Sequence, residues 1–406
     1  MTDHSRTDID LNQPATRFGR GMLAEWLLDP ETTYLNHGTV GAPPTRVLRK
    51  QQAIRDEIEK QPSRFILREL ALQQSAPWRI ESRLREAVKP VAEFLGARPE
   101  DLVFVPNVTL GTNAVLRSTP LDPGDEIVIS DLAYGAVTLA AAAIARERHA
   151  VVRTVAVSQP VVSADQVVAS FVSALGPRTR LVIVDHIAAQ TALVLPVAAI
   201  AAECRARGIA VLVDGAHAPG SLAVDIPSLG VDYYAANLHK WAHAPRACGV
   251  LWAPPEHQQH LHHPVVSWGS GQGFLREFEW NATADPTTYL AAPEGVALLQ
   301  EWGFQEVLAY LHDLAWDAAA LLSDRWGTAM STPREFVGAM VTVPLPEHAG
   351  STDDQAERLR TTLLTEDRIE VALHAASGRL WARVSAQVYN ERADYERLAE
   401  AVVGRI

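Results

Sequence analysis

Short apolar runs alternate with Ala-rich segments along most of the chain. β-Branched or apolar runs recur at 101–105, 126–130, 151–157, 180–184, 209–213 and 249–252, and segments 109–118, 136–148, 164–175 and 197–207 between them read as helices. Gly208 stands just after the last of these, where a glycine closes a helix. Strands that alternate with helices build a parallel sheet covered on both faces. The unbroken apolar character of 181–184 and 210–213 fits strands buried on both sides. Near Asp285 the pattern changes. Segments 287–302 and 305–325 read as helices, 337–343, 369–373 and 380–385 as strands, and 393–403 as a closing helix. Such a grouping predicts a second, α+β unit. The fold class is α/β, with an N-terminal arm over 1–30, a large α/β domain over 31–285 with a mostly parallel sheet, and a smaller C-terminal α+β domain over 286–406. The arm and a helix over 45–60 are expected to pack across the two.

Length and composition narrow the possibilities. A chain of 406 residues exceeds what one hydrophobic core serves. With 48% hydrophobic and 21% charged residues it is globular rather than disordered. Lys and Arg number 36 against 48 Asp and Glu, and a net charge of −12 argues against nucleic-acid or anionic-membrane partners. The two cysteines, Cys204 and Cys248, make neither a disulfide scaffold nor a zinc site of three or four thiolates. Residues 1–13 lack the apolar core of a signal peptide, and the apolar stretch 136–145 is too short to span a membrane. The expectation is a soluble, cytoplasmic protein.

Open α/β sheets bind ligands beyond the carboxyl ends of their strands. Polar residues gather there: Asn107, Val108 and Thr109 after one strand, Asp131 to Tyr134 after the next, Asp185 and His186 after a third, and Asp214 to His217 after a fourth. Thr109 can cap the helix that follows it, whose first amides make an anion site, although a plain cap is the preferred reading of this motif taken alone. Asp214 ends a buried strand, where a carboxylate needs a partner such as a protonated heterocycle nitrogen; without that partner it reads as a structural cap. Lys240 lies among apolar and aromatic neighbours in Asn237-Leu-His-Lys-Trp241. That setting lowers an amine pKa and suits Schiff-base chemistry, whereas an ordinary lysine is a surface cation.

Six motifs, read together and in order, resemble the class V aminotransferase superfamily of fold type I pyridoxal 5′-phosphate (PLP) enzymes, and within it the isopenicillin N epimerase-like branch. They are Tyr34-Leu-Asn-His-Gly-Thr-Val-Gly-Ala-Pro43, Asn107-Val-Thr-Leu-Gly-Thr-Asn113, Asp214-Gly-Ala-His217, Asn237-Leu-His-Lys-Trp241, Trp280-Asn-Ala-Thr-Ala-Asp285 and Arg383-Val-Ser-Ala-Gln-Val-Tyr-Asn390. The resemblance implies that Lys240 forms the Schiff base and moves the Cα proton, and that Asp214 keeps the pyridine nitrogen protonated. It implies that His217 lies near the phenolic oxygen and Tyr134 stacks on the ring. Val108 and Thr109, with Asn237 and His239, would hold the phosphate. Thr283 would reach the phosphate of a neighbouring subunit, which makes the protein a homodimer with shared sites. Arg383 would clamp the α-carboxylate of an amino-acid substrate, and Asn36 and His37 would cover the substrate side.

The chain departs from the family pattern in places. Ala282 stands where the family usually has Gly, which bears on how Thr283 approaches a phosphate. Ala188 and Ala189 stand where some relatives place an asparagine near the phenolic oxygen, leaving His217 as the main candidate. Cysteine desulfurases of the superfamily need a nucleophilic cysteine on a loop before the carboxylate-binding arginine. Here His374-Ala-Ala-Ser-Gly-Arg379 contains none, and both cysteines read as packing residues. The cluster His257, His260, His262 and His263 has metal-like spacing, but a loop near the substrate mouth is the preferred reading and no metal is expected. Arg64, Arg68, Arg79, Arg83 and Arg85, interleaved with glutamates, read as a solvated helix face, with Arg64 or Arg79 placed to meet an anionic substrate tail.

The resemblance therefore implies a PLP-dependent enzyme working at Cα and Cβ of an amino acid. The leading reading is a lyase that cleaves the C–S bond of an S-cysteinyl conjugate in specialised metabolism, such as antibiotic biosynthesis, or that couples decarboxylation to amine loss. Epimerisation stands second and aminotransfer third. A non-enzymatic binding role is the reading from another class, and the presence of Lys240, Asp214 and Arg383 together speaks against it.

Overall fold

A central seven-stranded sheet organises the computed structural model, which describes residues 17–70, 82–330 and 332–406. Residues 1–16 of the expected arm, and Arg79, lie outside the described residues. The strands are β1 (Leu102–Val105), β2 (Glu126–Ser130), β3 (Val151–Val155), β4 (Thr179–Asp185), β5 (Ala210–Gly215), β6 (Tyr233–Asn237) and β7 (Gly249–Trp252). Their spatial order is β1-β7-β6-β5-β4-β2-β3. β2, β3, β4, β5 and β6 pair in parallel, while β7 is antiparallel to both β1 and β6. The inner strands carry the expected double burial: Val211, Leu212 and Val213 of β5 are almost wholly excluded from solvent. Each contributes roughly 1.5–3 kcal/mol from burial. β3, at the sheet's edge, is mostly exposed.

Helices α1 (Thr45–Lys60), α2 (Arg83–Phe94), α3 (Val108–Ser118), α4 (Gly135–Arg148), α5 (Ala164–Ala174) and α6 (Val197–Arg205) surround this sheet. On α3, Gly111 lets the helix lie close to β6, since a Cβ there would meet the Ala235 methyl at 3.0 Å. The segment expected as one helix over 287–302 is broken into a single-turn helix, Thr287–Leu290, and α7 (Ala292–Glu301). Pro293 is the cause, because its ring displaces the preceding turn and it has no N–H to donate back. These helices pack against α1 and α2, and Tyr289 stacks on Phe104 of β1 with ring centroids 5.2 Å apart.

A second apolar cluster is built around α8 (Phe304–Trp326), the antiparallel sheet of β8 (Met340–Pro344), β9 (Ala372–Ala376) and β10 (Arg379–Ser385) in the order β9-β10-β8, and helices α9 (Asp353–Thr365) and α10 (Arg392–Val403). The strand expected over 369–373 divides at Val371. Ile369–Glu370 pairs in parallel with Thr33–Tyr34, and the chain then continues as β9. This pairing fastens the N-terminal segment to the smaller sheet. Among the described residues no helix is long and apolar enough to cross a membrane.

Candidate active site

The carboxyl ends of β1, β4, β5 and β6 border one cavity of about 230 Å³, to which Asn107, Thr109, Asp185, Asp214, Asn237, His239 and Lys240 all contribute. At its base, Asp214 is buried at 3% exposure. One carboxylate oxygen accepts the Ala216 N–H at 2.9 Å, and the other has no hydrogen-bond partner among the described residues. Burial raises the Asp214 pKa, opposed by the Ala216 bond and the Lys240 charge. Asp185 lies directly beside it in register on β4, is equally buried and faces the same cavity. Burial and then the Asp214 charge push Asp185 well up, while its carboxylate accepts the Tyr134 backbone N–H.

Lys240 Nζ sits 3.1 Å from His217 Nε2. Burial, and then the Arg383 charge, lower the amine to about 8, with Asp214 pulling the other way. His217 is held neutral, chiefly by burial and then by the Lys240 charge, so its Nε2 can accept from the amine. Its Nδ1 is buried without a partner. The backbone of Lys240 is fixed from behind by the segment 36–41. His37 Nε2 bonds the Lys240 carbonyl at 3.0 Å and its Nδ1 meets the Tyr389 hydroxyl at 2.9 Å. Gly41, at φ +66°, lies so close that a Cβ would overlap the His239 carbonyl and come within 2.9 Å of the Lys240 Cα. Only glycine serves at such a position.

At the mouth of α3, the cap is Asn107 rather than Thr109: its side chain accepts the Leu110 N–H at 3.0 Å. An asparagine at the end of a strand supplies the extended backbone and the acceptor that a cap requires. Thr109 is the second residue of the helix, within its first turn, and lines the cavity. The Val108 N–H, expected to face an anion, donates to Asn237 Oδ1 at 3.0 Å instead. Asn237 therefore ties β6 to the helix mouth. His239 is anchored through Nδ1 to the Cys248 backbone, 2.7 Å from its carbonyl oxygen, and burial lowers it to about 4.

Arg383 projects from β10 and is buried. Its guanidinium donates to the Ala189 carbonyl and the Thr39 hydroxyl and lies 3.5 Å from Asn36 Oδ1, while Nε has no partner. Burial lowers it to about 10. It borders a second cavity of about 360 Å³, which shares Tyr134 and Ala189 with the first.

Several expected positions fall elsewhere. His37 is fully buried behind Lys240 and lines neither cavity, because its ring is committed to Tyr389 and the Lys240 main chain. Asn36 is also buried, donating to Glu370 at 2.7 Å, and it is Thr39 that reaches the cavity. Thr283 is exposed and lines neither cavity. The histidine cluster lines neither cavity: His257 pairs with Asp232 at 2.9 Å, His262 with Glu277 at 3.0 Å, and His263 bonds Asn281 at 2.8 Å. Arg64 pairs with Glu69, and Arg83 bridges Glu57 and Glu69. Among the described residues, no group of His, Cys, Asp and Glu is placed to hold a metal ion. Both cysteines are buried.

Ala282 adopts φ +135°, a region that side chains avoid. Replacing it with glycine removes strain of about 1–3 kcal/mol against an entropic penalty of about 0.5–1 kcal/mol. A282G is therefore expected to unfold at a higher temperature than the wild type by calorimetry, and an equal or lower Tm would contradict this.

Comparison with known proteins agrees with the geometry. The sequence profile described as aminotransferase class-V matches residues 44–398. The chain is 33% identical to isopenicillin N epimerase of Streptomyces clavuligerus, over 94% of this chain and 98% of that protein. It is 30% identical to a probable chloroplastic L-cysteine desulfhydrase of Arabidopsis thaliana, over 93% of this chain and 84% of that protein. Among solved structures, the cystine C-S lyase C-DES in complex with its reaction product cysteine persulfide superposes with a TM-score of 0.73 at 23% identity, covering 94% of this chain and 98% of that one. The chain belongs to the class-V aminotransferase family.

Proposed function

We propose that this protein is a PLP-dependent lyase that cleaves the Cβ–S bond of an S-substituted cysteine. The observation that carries the reading is the pairing, in one cavity, of a lysine amine lowered to about 8 with a buried carboxylate whose second oxygen has no partner. A cationic ring nitrogen suits that orphaned oxygen, and the start of α3, with Thr109, suits a phosphate. The residues present thus fit PLP: Lys240 would hold it covalently, Asp214 would pair with its ring nitrogen, Tyr134 would cover its face, and Thr109, His239 and Asn237 would border its phosphate. Bound there, PLP supplies an electron sink that renders a substrate Cα–H acidic.

The protein's own groups do the rest. Arg383 receives the α-carboxylate, with Asn36 and Thr39 holding the guanidinium in place. Lys240 takes the Cα proton; an amine lowered to about 8 is divided between its two protonation states near neutrality, as a group that both takes and returns a proton requires. His217 accepts a hydrogen bond from Nζ and aims it. Loss of the thiolate from Cβ, which takes up a proton to leave as the thiol, gives an aminoacrylate, and water hydrolyses the released aminoacrylate to pyruvate and ammonia. We further propose a cytoplasmic homodimer in which Thr283 serves the phosphate site of the partner subunit, and a place in specialised metabolism.

Epimerisation is the second reading, favoured by the 33% identity to an epimerase. Incubating the holoenzyme with S-substituted L-cysteines in deuterated water separates the two. Pyruvate and free thiol are expected in equal amounts. Recovery of a Cα-deuterated, inverted amino acid without thiol would establish epimerisation and overturn the lyase reading.

A further inference from the structure

The cavity beyond Arg383 has a wall whose chemistry is one-sided. Its polar contributors are Arg383, His374, Gln190 and Tyr134, its apolar ones include Leu132 and Leu373, and among the described residues no carboxylate lines it. His374 and Arg383 project from the same face of the smaller sheet. In the β9–β10 register Arg383 faces Ala372, and His374 lies two residues further along the same side. Ala372, His374 and Arg383 all line this cavity. His374 is half-buried, and its ring makes no hydrogen bond to the protein among the described residues. Burial, and then the Arg383 charge, lower its pKa, so near neutrality it is an uncharged ring with one N–H to donate. Tyr134 and Ala189 border both cavities, so the space beyond Arg383 adjoins the one that holds Lys240 and is open to the side chain of an amino acid whose α-carboxylate meets Arg383.

We propose that His374 is the residue that reads the distal end of the substrate, and that the favoured S-substituent is a short chain ending in a carboxylate, not a cation. This rests on the lyase reading for its reaction but not for its binding geometry. A carboxylate there gains an N–H donor and the field of Arg383. An ammonium meets no carboxylate among the described residues that line the cavity; Asp353, the acid whose charge acts on His374, is exposed and lies outside that lining.

The test uses holoenzyme with S-(2-carboxyethyl)-, S-methyl- and S-(2-aminoethyl)-L-cysteine. The wild type is expected to prefer them in that order, with kcat/KM at least about tenfold higher for the first than the last. His374→Ala should reduce kcat/KM for the carboxyethyl substrate by about 10- to 100-fold, mainly through KM, and by at least tenfold more than for the methyl substrate. His374→Gln, which retains an N–H donor, should recover most of the loss. Equal losses on all three substrates, or a preference for the aminoethyl compound, would overturn the assignment while leaving the lyase reading intact. If no substrate yields pyruvate but calorimetry shows the carboxyethyl compound binding wild type at least tenfold tighter than H374A, the reaction assignment fails and the role of His374 stands.

Discussion

Lys240→Ala is expected to lose turnover by roughly a thousandfold or more, with the fold retained. Lys240 is the one lysine among the described residues that line the cavity, and its amine is held there by His217. Folding should tolerate the change, since burial already disfavours the charged amine and its removal takes away that penalty. Two readouts check this. Borohydride reduction of the wild type with PLP should leave a mass adduct on Lys240 that K240A lacks. In wild type, formation of that adduct should accelerate as pH rises toward about 8 and then level off, because the neutral amine is the nucleophile and its fraction grows tenfold per unit below that value. Full turnover in K240A would remove the basis of the mechanism.

Asp214→Asn should separate stability from catalysis. With PLP bound, turnover is expected to fall by about 10² to 10⁴, as a neutral amide cannot hold a proton on the ring nitrogen. Without PLP, the same substitution is expected to stabilise the fold by on the order of 1 kcal/mol at neutral pH, because it removes a buried charge with one unpartnered oxygen. The sign follows from the pKa. Burial raises the folded-state value, so folding favours the protonated acid. That contribution is present below the ordinary carboxylate value of 3.8 and is lost as pH rises through the folded-state value. The advantage of D214N should therefore shrink as pH falls toward the ordinary carboxylate range. Thermal melts of both proteins between pH 4 and 8, with and without PLP, read out both effects. A cofactor-free D214N that melts below wild type at pH 7 would contradict the account.

How much of this was legible in the sequence depended on the range of the interactions. The inner strands could be read because double burial forces continuous apolar runs, as in 181–184 and 210–213. Asp214 and Lys240 stood out because a charge beside buried segments needs a reason. The misplaced residues answer to distant partners. His37 belongs to the main chain of Lys240, 203 positions away, and Arg383 is held by Thr39 at a separation of 344. No local pattern carries such information. Asp185 was seen only as one of several strand-end polars; its register beside Asp214 depends on strand pairing. His374 was noted for the absence of a neighbouring cysteine, and its place beside Arg383 emerges only from the hairpin. Pro293 is different: the helix break it imposes was readable from its residue type alone.

The segment 36–41 touches the Lys240 main chain through His37 and Gly41 and the Arg383 guanidinium through Thr39. These contacts join positions near the two ends of the chain. During synthesis, the lysine is complete in sequence long before its backbone can be held by the Tyr389-anchored ring of His37. The hold on the lysine's backbone is thus completed only after β10 and Tyr389 have left the ribosome. High sequence separation of this kind slows folding, and the amine lacks this hold in any chain that stops short of Tyr389.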